Sequence, residues 1–218
     1  MLNLPVDTSH PEYQLFFHRD GTSDKMVIDF NATSDRVVSP SKLAHVVLRT
    51  NNLQEMVTYY TTFLGGQVIY ENEMLAFISY DEEHHRIAIL GAPGTQPKQK
   101  TSCGLEHIAF TFTSLSTLLL SYRQRKQKGI PPLWPVNHGP TTSIYYRDPD
   151  GNMIETQVDN FDDPDAATEF MKSEHFAENP IGADFDPEDW IRQISEGKPE
   201  AALKIREEVG PRGLPDFF

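Results

Sequence analysis

The chain has 218 residues, 38% hydrophobic and 11% aromatic, with a formal net charge of −13. That is enough apolar material for one buried core and excludes wholesale disorder. The acidity argues against nucleic acid or an anionic membrane surface as partner, and no run approaches the roughly 18 apolar residues of a membrane span.

Residues 1–40 are polar, with short apolar clusters at Leu15, Phe16 and Phe17 and at Met26, Val27 and Ile28. They read as an N-terminal extension that ends at Pro40. The first residues lack a basic start followed by an apolar run, so no secretory signal is expected. The single cysteine, Cys103, excludes an intramolecular disulfide and fits a reducing, cytoplasmic setting. Its place before Gly104 and a strand suggests packing rather than catalysis.

From residue 41 a pattern appears twice. LAHVVLRTNNL (43–53) and LEHIAFTFTSL (105–115) each carry Leu-x-His, with a further Leu eight positions after the histidine. Each opening predicts a strand. A helix is expected over 53–64, stopped by Gly65-Gly66, and another over 114–128, stopped by Gly129. Strands are expected at 67–71, 74–80 and 85–90 in the first unit. In the second they fall near Val136, at 142–147 and at 152–158. The fold class is therefore α+β: two βαβββ modules, 41–92 and 103–160, in one domain of residues 41–160. Residues 161–218 form an acidic C-terminal arm with short helices, around Trp190, Ile191 and Ile194 and over the stretch EAALKIREEVG. From Asp159 onward there are 16 acidic and 6 basic residues, read as a solvated face. The arm's large apolar residues, Phe217 and Phe218 among them, need a surface to cover, on the same chain or on a second subunit, and a reach across a homodimer interface is favoured.

His45 and His107 hold the same place in the two units, and Glu155 lies on the last strand of the second. A lone carboxylate among apolar neighbours needs a cation. Ile89 stands, within a residue, where the first unit would carry its counterpart. Two imidazoles and one carboxylate with open positions opposite form the ligand set of non-haem Fe(II) sites that activate dioxygen.

These residues resemble the vicinal oxygen chelate superfamily, which includes glyoxalase I, bleomycin-resistance proteins and type I extradiol ring-cleaving dioxygenases. VNHGPTTSIYYRDPDGNMIE (136–155) is similar to the extradiol signature through His138, Ile144, Tyr145, Pro149, Gly151 and Glu155. The resemblance implies a two-module domain around a metal cleft, with His45, His107 and Glu155 as metal ligands. It implies that Tyr145 and His138 hold substrate oxygens. The stretch EEHHRIAI (82–89) resembles the segment bearing the family's acid–base histidine, with His85 the better match and His84 the second. The implied activity is Fe(II)-dependent cleavage of a catechol-like ring, with a small aromatic diol and dioxygen as partners. Mn(II), Zn(II) and Ni(II) are the alternative metals. A glyoxalase-like or epimerase-like lyase or isomerase would want a carboxylate from the first module too, and Ile89 and Leu90 stand there instead. A non-catalytic small-molecule-binding relative is the third reading.

Overall fold

Two units of strand, helix and three strands follow one another, as the duplicated Leu-x-His pattern predicts. The computed structural model describes residues 17–19, 26–33, 35, 37–99 and 101–216. His10, Leu15, Phe16, Phe217 and Phe218 lie outside the described residues. The chain divides into residues 1–44 and a unit His45–Phe218. In the former, β1 (Phe17–Arg19) and β2 (Met26–Ile28) form an antiparallel pair of their own.

In the larger unit, α1 (Leu53–Leu64) forms because Met56, Val57, Tyr60 and Phe63 recur at helical spacing, and all four are buried. It stops at Gly65, whose φ of 64° is the left-handed conformation glycine adopts without penalty. The second helix, α2 (Leu115–Gln127), starts at Ser114, whose side chain accepts the Thr117 N–H while the Thr117 hydroxyl accepts the Ser114 N–H. Such a cap stabilises by about 1 kcal/mol. Its buried face is Leu115, Leu118, Leu119 and Tyr122.

The first module's strands, β3 (Val46–Thr50), β4 (Gln67–Glu71), β5 (Leu75–Ser79) and β6 (Ile87–Gly91), form a sheet in the order β3-β6-β5-β4. The second module contributes β7 (His107–Thr111), β8 (Trp134–Asn137), β9 (Thr141–Arg147) and β10 (Met153–Asp159). They join β11 (Ala183–Asp184) in the order β11-β8-β9-β10-β7. In each module the first and last strands pair in parallel and the remaining pairs are antiparallel. Because side chains alternate along a strand, each sheet has one face in the core and one turned away from it. Leu48, Ile78, Ile87, Ile89, Ile144, Tyr146, Ile154 and Val158 join α1 and α2 in a single cluster. Each such side chain contributes about 1.5–3 kcal/mol on full burial.

Arg125 of α2 ties the two modules together. It is buried, donates Nε–H to the Phe63 carbonyl at 2.9 Å and lies 4.0 Å from the Phe63 ring centroid. The Asp-Pro-Asp-Gly turn does more than reverse the chain. Asp148 is buried and accepts from the Asp150 and Asn152 N–H groups, from the Asn152 amide and, at 3.0 Å, from the Tyr60 hydroxyl of α1.

The C-terminal segment adds α3 (Pro164–Met171), α4 (Glu174–Glu178), α5 (Pro187–Ser195) and α6 (Glu200–Lys204). It packs on its own chain, one of the two surfaces the sequence left open. β11 pairs with β8, and Phe185, Trp190, Ile191 and Ile194 pack against the core. Its charge is not all solvated either. Glu188 bonds Tyr122, Arg123 and Lys126, and Glu200 accepts the Leu115 and Ser116 N–H groups at the positive end of α2. Cys103 is exposed, so it does not pack in the core as expected.

Candidate metal centre and active site

Register decides which residues share the face turned away from the core. Glu155 pairs with Ala109 of β7 and with Tyr145 of β9, and Tyr145 pairs with Trp134 of β8. His107, Glu155, Ser143 and Tyr145 therefore share a face. Tyr146, on the opposite face, is fully buried beside Phe63 and Arg125; burial raises its pKa to about 12 against the lowering effect of the Arg125 charge. Of the adjacent tyrosines, Tyr145 is the one at the site.

His107 Nε2 lies 3.0 Å from Glu155 Oε2. Glu155 is only 5% exposed. Burial pushes its carboxyl up, but hydrogen bonds from His107 and Ser143 and the His107 charge outweigh this and hold it below the ordinary range. His107 is raised in turn, chiefly by its bond to Glu155. Tyr145 Oη sits 3.0 Å from His138 Nε2 and within reach of the Glu155 carboxylate. Burial, then the Glu155 charge, push the Tyr145 hydroxyl up, so it stays protonated at neutral pH. His138 is lowered by burial, and its Nδ1 meets the Ile181 carbonyl at 2.5 Å. Trp134 stacks on Tyr145 and completes a small apolar cluster with Val136 and Met153.

A second cluster lies at the first module. His45, exposed just ahead of β3, has its ring centroid 4.5 Å from that of His85. His85 is buried and stacks on Phe77, with Nδ1 2.6 Å from the Nδ1 of exposed His84. His85 is therefore the sequestered member of the pair. Loss of water and the neighbouring His45 and His84 lower its pKa. It precedes β6 by two residues rather than starting the strand.

The structure thus joins His107 with Glu155, Tyr145 and His138, and joins His45 with His85 and His84. No group of three His, Cys, Asp or Glu side chains gathers tightly enough to hold an ion among the described residues. A cleft of about 450 Å³ lies between β3 and the segment leading into β7, past Val47, Arg49, Glu106, Arg147 and Met153, and none of these residues supplies the donor set above.

The donor set nevertheless fits a metal. Two cis ligands each about 2.1 Å from an ion are about 3.0 Å apart, the His107–Glu155 separation. Imidazole nitrogen and carboxylate oxygen suit a divalent first-row metal. His45 would be the third ligand, brought by the first module.

Register also refines one expectation, which placed Ile89 at the counterpart of Glu155 to within a residue. Val46 pairs with Ile87 as Ile108 pairs with Ile154. Ala88 is therefore the counterpart of Glu155, and Ile89 faces the core, fully buried. Two participants escaped the sequence. Ser143 was legible in principle, being two residues before Tyr145 on the same strand. The Ile181 carbonyl, a backbone group on a distant segment, left no signal.

A model of the Glyoxalase/Bleomycin resistance protein/Dioxygenase superfamily matches residues 42–156. The chain is 47% identical over 159 residues to biphenyl-2,3-diol 1,2-dioxygenase 2 of Rhodococcus globerulus, covering 72% of this chain and 84% of that protein. It is 46% identical over 167 residues to biphenyl-2,3-diol 1,2-dioxygenase 3 of the same organism, covering 76% and 88%. The lactoylglutathione lyase of Escherichia coli O157:H7 is 28% identical over 121 residues, covering 52% of this chain and 90% of the lyase. The chain belongs to the Glyoxalase/Bleomycin resistance protein/Dioxygenase superfamily.

Proposed function

We propose that the protein is an extradiol-type ring-cleaving dioxygenase that holds Fe(II) through His45, His107 and Glu155 and acts on a small aromatic diol of the biphenyl-2,3-diol class. One observation carries the reading: His107 and Glu155 stand at cis-ligand separation beside Tyr145 and His138, in a chain 47% identical to a biphenyl-2,3-diol 1,2-dioxygenase. The iron, when bound, supplies the Lewis-acid and redox chemistry that brings diol and dioxygen together.

The chain's own residues do the rest. With His85 donating from Nδ1 to His84 Nδ1, its Nε2 is left to take a diol proton. A lowered pKa keeps that nitrogen free to accept near neutral pH. Tyr145 Oη–H and His138 orient the substrate oxygens, and the Trp134 cluster keeps water from that side. The apolar row Tyr70, Phe77, Ala88 and Val47 on the open face of the first sheet offers a surface for the aromatic ring. The ring carbon–carbon bond beside the diol breaks and both oxygen atoms enter the product, so no outside reductant is consumed. Domain boundaries at residues 41 and 160, a cytoplasmic setting and a homodimer complete the proposal. Among the described residues no helix is long and apolar enough to cross a membrane.

A lyase or isomerase reading, as for the lactoylglutathione lyases, is disfavoured because Ala88 puts no carboxylate where the first module would supply one. The test is anaerobic purification, loading with Fe(II), and addition of biphenyl-2,3-diol in air-saturated buffer. One dioxygen consumed per diol, with the absorbance of a conjugated ring-opened product, is expected. Iron-loaded protein that consumes no oxygen with any catechol, while Zn(II) restores an isomerase activity, would overturn it.

A further inference from the structure

The C-terminal arm meets the His138 ring through the carbonyl oxygen of Ile181. A neutral imidazole carries one N–H, and a carbonyl only accepts. The 2.5 Å contact between His138 Nδ1 and the Ile181 oxygen therefore places the proton on Nδ1 and leaves Nε2 as an acceptor. Tyr145 has one hydroxyl proton and two acceptors in reach, His138 Nε2 at 3.0 Å and the Glu155 carboxylate. With Nε2 open, His138 competes with Glu155 for that proton. With the other tautomer, Nε2–H would face the hydroxyl oxygen and turn the proton onto Glu155, where it competes with a metal for the same lone pairs.

The carbonyl is held with care. Asn179 is buried, and its side chain accepts the Ile181 and Gly182 N–H groups at 3.1 and 2.8 Å and donates to the Gly182 carbonyl. Arg206, with a side chain 1% exposed, donates to the carbonyls of Asn179, His175 and His138 at 2.7, 3.0 and 3.2 Å. One guanidinium thus clasps the arm and the strand end that bears His138. Gly182 has φ +109°, and a Cβ there would lie 2.3 Å from the Asn137 carbonyl. Only glycine lets the arm come this close to β8.

We propose that the arm is a positioning device. Through Ile181, Asn179 and Arg206 it fixes the His138 tautomer, and so steers the Tyr145 proton away from Glu155 and keeps that carboxylate available to a metal. The proposal rests on the reading of Glu155 as a ligand. Asn179 and Arg206 are positioning residues and touch no reacting atom.

The test uses the full chain, metal-free and ¹⁵N-labelled in histidine. Imidazole nitrogen shifts should show His138 protonated at Nδ1 and bare at Nε2 near neutral pH, and Asn179→Ala and Arg206→Lys should move it towards Nε2–H. Mn(II) affinity, read by electron paramagnetic resonance, should fall about tenfold in those variants, the scale of an outer-shell loss. That fall should vanish in a Tyr145→Phe background, where no proton competes. A wild-type His138 protonated at Nε2 overturns the proposal even if a variant fails to fold. So do variants that leave the tautomer or Mn(II) affinity unchanged, or a fall that persists in Tyr145→Phe. None of these readouts involves turnover, so a failure of the dioxygenase reading would show separately as absent oxygen uptake.

Discussion

Replacing Glu155 with Gln keeps the shape of the side chain and removes the charge. In metal-free protein the loss is one buried charge-assisted hydrogen bond to His107 at 3.0 Å, against relief of a buried carboxylate's desolvation. A hydrogen bond to a charged group stabilises by about 1.5–3 kcal/mol, and the one-third exposure of the His107 side chain puts this one at the low end. The pair acts in a defined window. Glu155, held low, contributes stability above the ordinary carboxylate range and loses it as pH falls. His107, held high, contributes below about pH 6.5 and loses it as pH rises through its raised value. Near pH 6 the variant should lose about 1 kcal/mol, or about 2–4 °C in Tm for a domain of 150–250 residues. The metal effect is larger. At a metal concentration of 100 Kd the wild type gains about 2.7 kcal/mol, and a hundredfold weaker variant at the same concentration gains only about 0.4 kcal/mol. Calorimetry with and without Mn(II) reads both quantities. A Glu155→Gln protein that keeps the full metal-dependent rise in Tm would refute Glu155 as a ligand.

His45→Ala should cost metal-free stability less than about 0.5 kcal/mol, since the side chain is exposed, yet should blunt the Mn(II)-dependent rise in Tm; an unchanged rise would remove His45 from the ligand set. Tyr145→Phe should retain iron by metal analysis and lower kcat at least tenfold, and normal turnover would take the hydroxyl out of the chemistry. Arg125→Ala strips the Phe63 carbonyl of its donor and opens a cavity, so urea unfolding should show a loss of about 3–5 kcal/mol, with Arg125→Met clearly milder; equal losses would assign the effect to the lost hydrogen bond and none of it to volume. Asp148 is raised by burial, which outweighs its bonds from Asn152 and Tyr60. Its contribution is therefore full below the unfolded carboxylate pKa and lost as pH rises through the folded one. The stability of Asp148→Asn relative to wild type should then improve from pH 3 to pH 7, and a flat difference would contradict the sign.

The candidate ligand positions were legible because duplication made them so. One histidine on one strand is ambiguous, whereas His45 and His107 at matched places, with matched leucines eight residues on, constrain each other. The helix over 53–64 was legible because a 3.6-residue apolar period and a glycine stop agree. Register was not. Counting along the chain put Ile89 at Glu155's place only to within a residue, and the β3–β6 pairing shows that Ala88 holds it. A one-residue slip exchanges the two faces of a strand, so a residue count that is off by one names a core residue as a site residue. The arm was the least legible part. Its acidic residues read as solvated, but Glu188 and Glu200 meet the cations and free N–H groups of α2. A long-range partner leaves no periodicity behind.

The two modules show what duplication leaves free. Their scaffolds place four residues in one cross-strand row on the open face: Tyr70, Phe77, Ala88 and Val47 in the first, and Trp134, Tyr145, Glu155 and Ala109 in the second. The strand order and parity are the same, so backbone geometry does not explain why one module carries the carboxylate. The surroundings do. Glu155 lies under His107 and beside the hydroxyls of Ser143 and Tyr145, which offset the cost of burying its charge. A carboxylate at position 88 would sit beside Phe77 and against Val47, with no hydroxyl on those two neighbours. The second module is built to hold a charge and the first to present an apolar surface. A planar aromatic diol needs both, a polar end for its oxygens and an apolar wall for its ring.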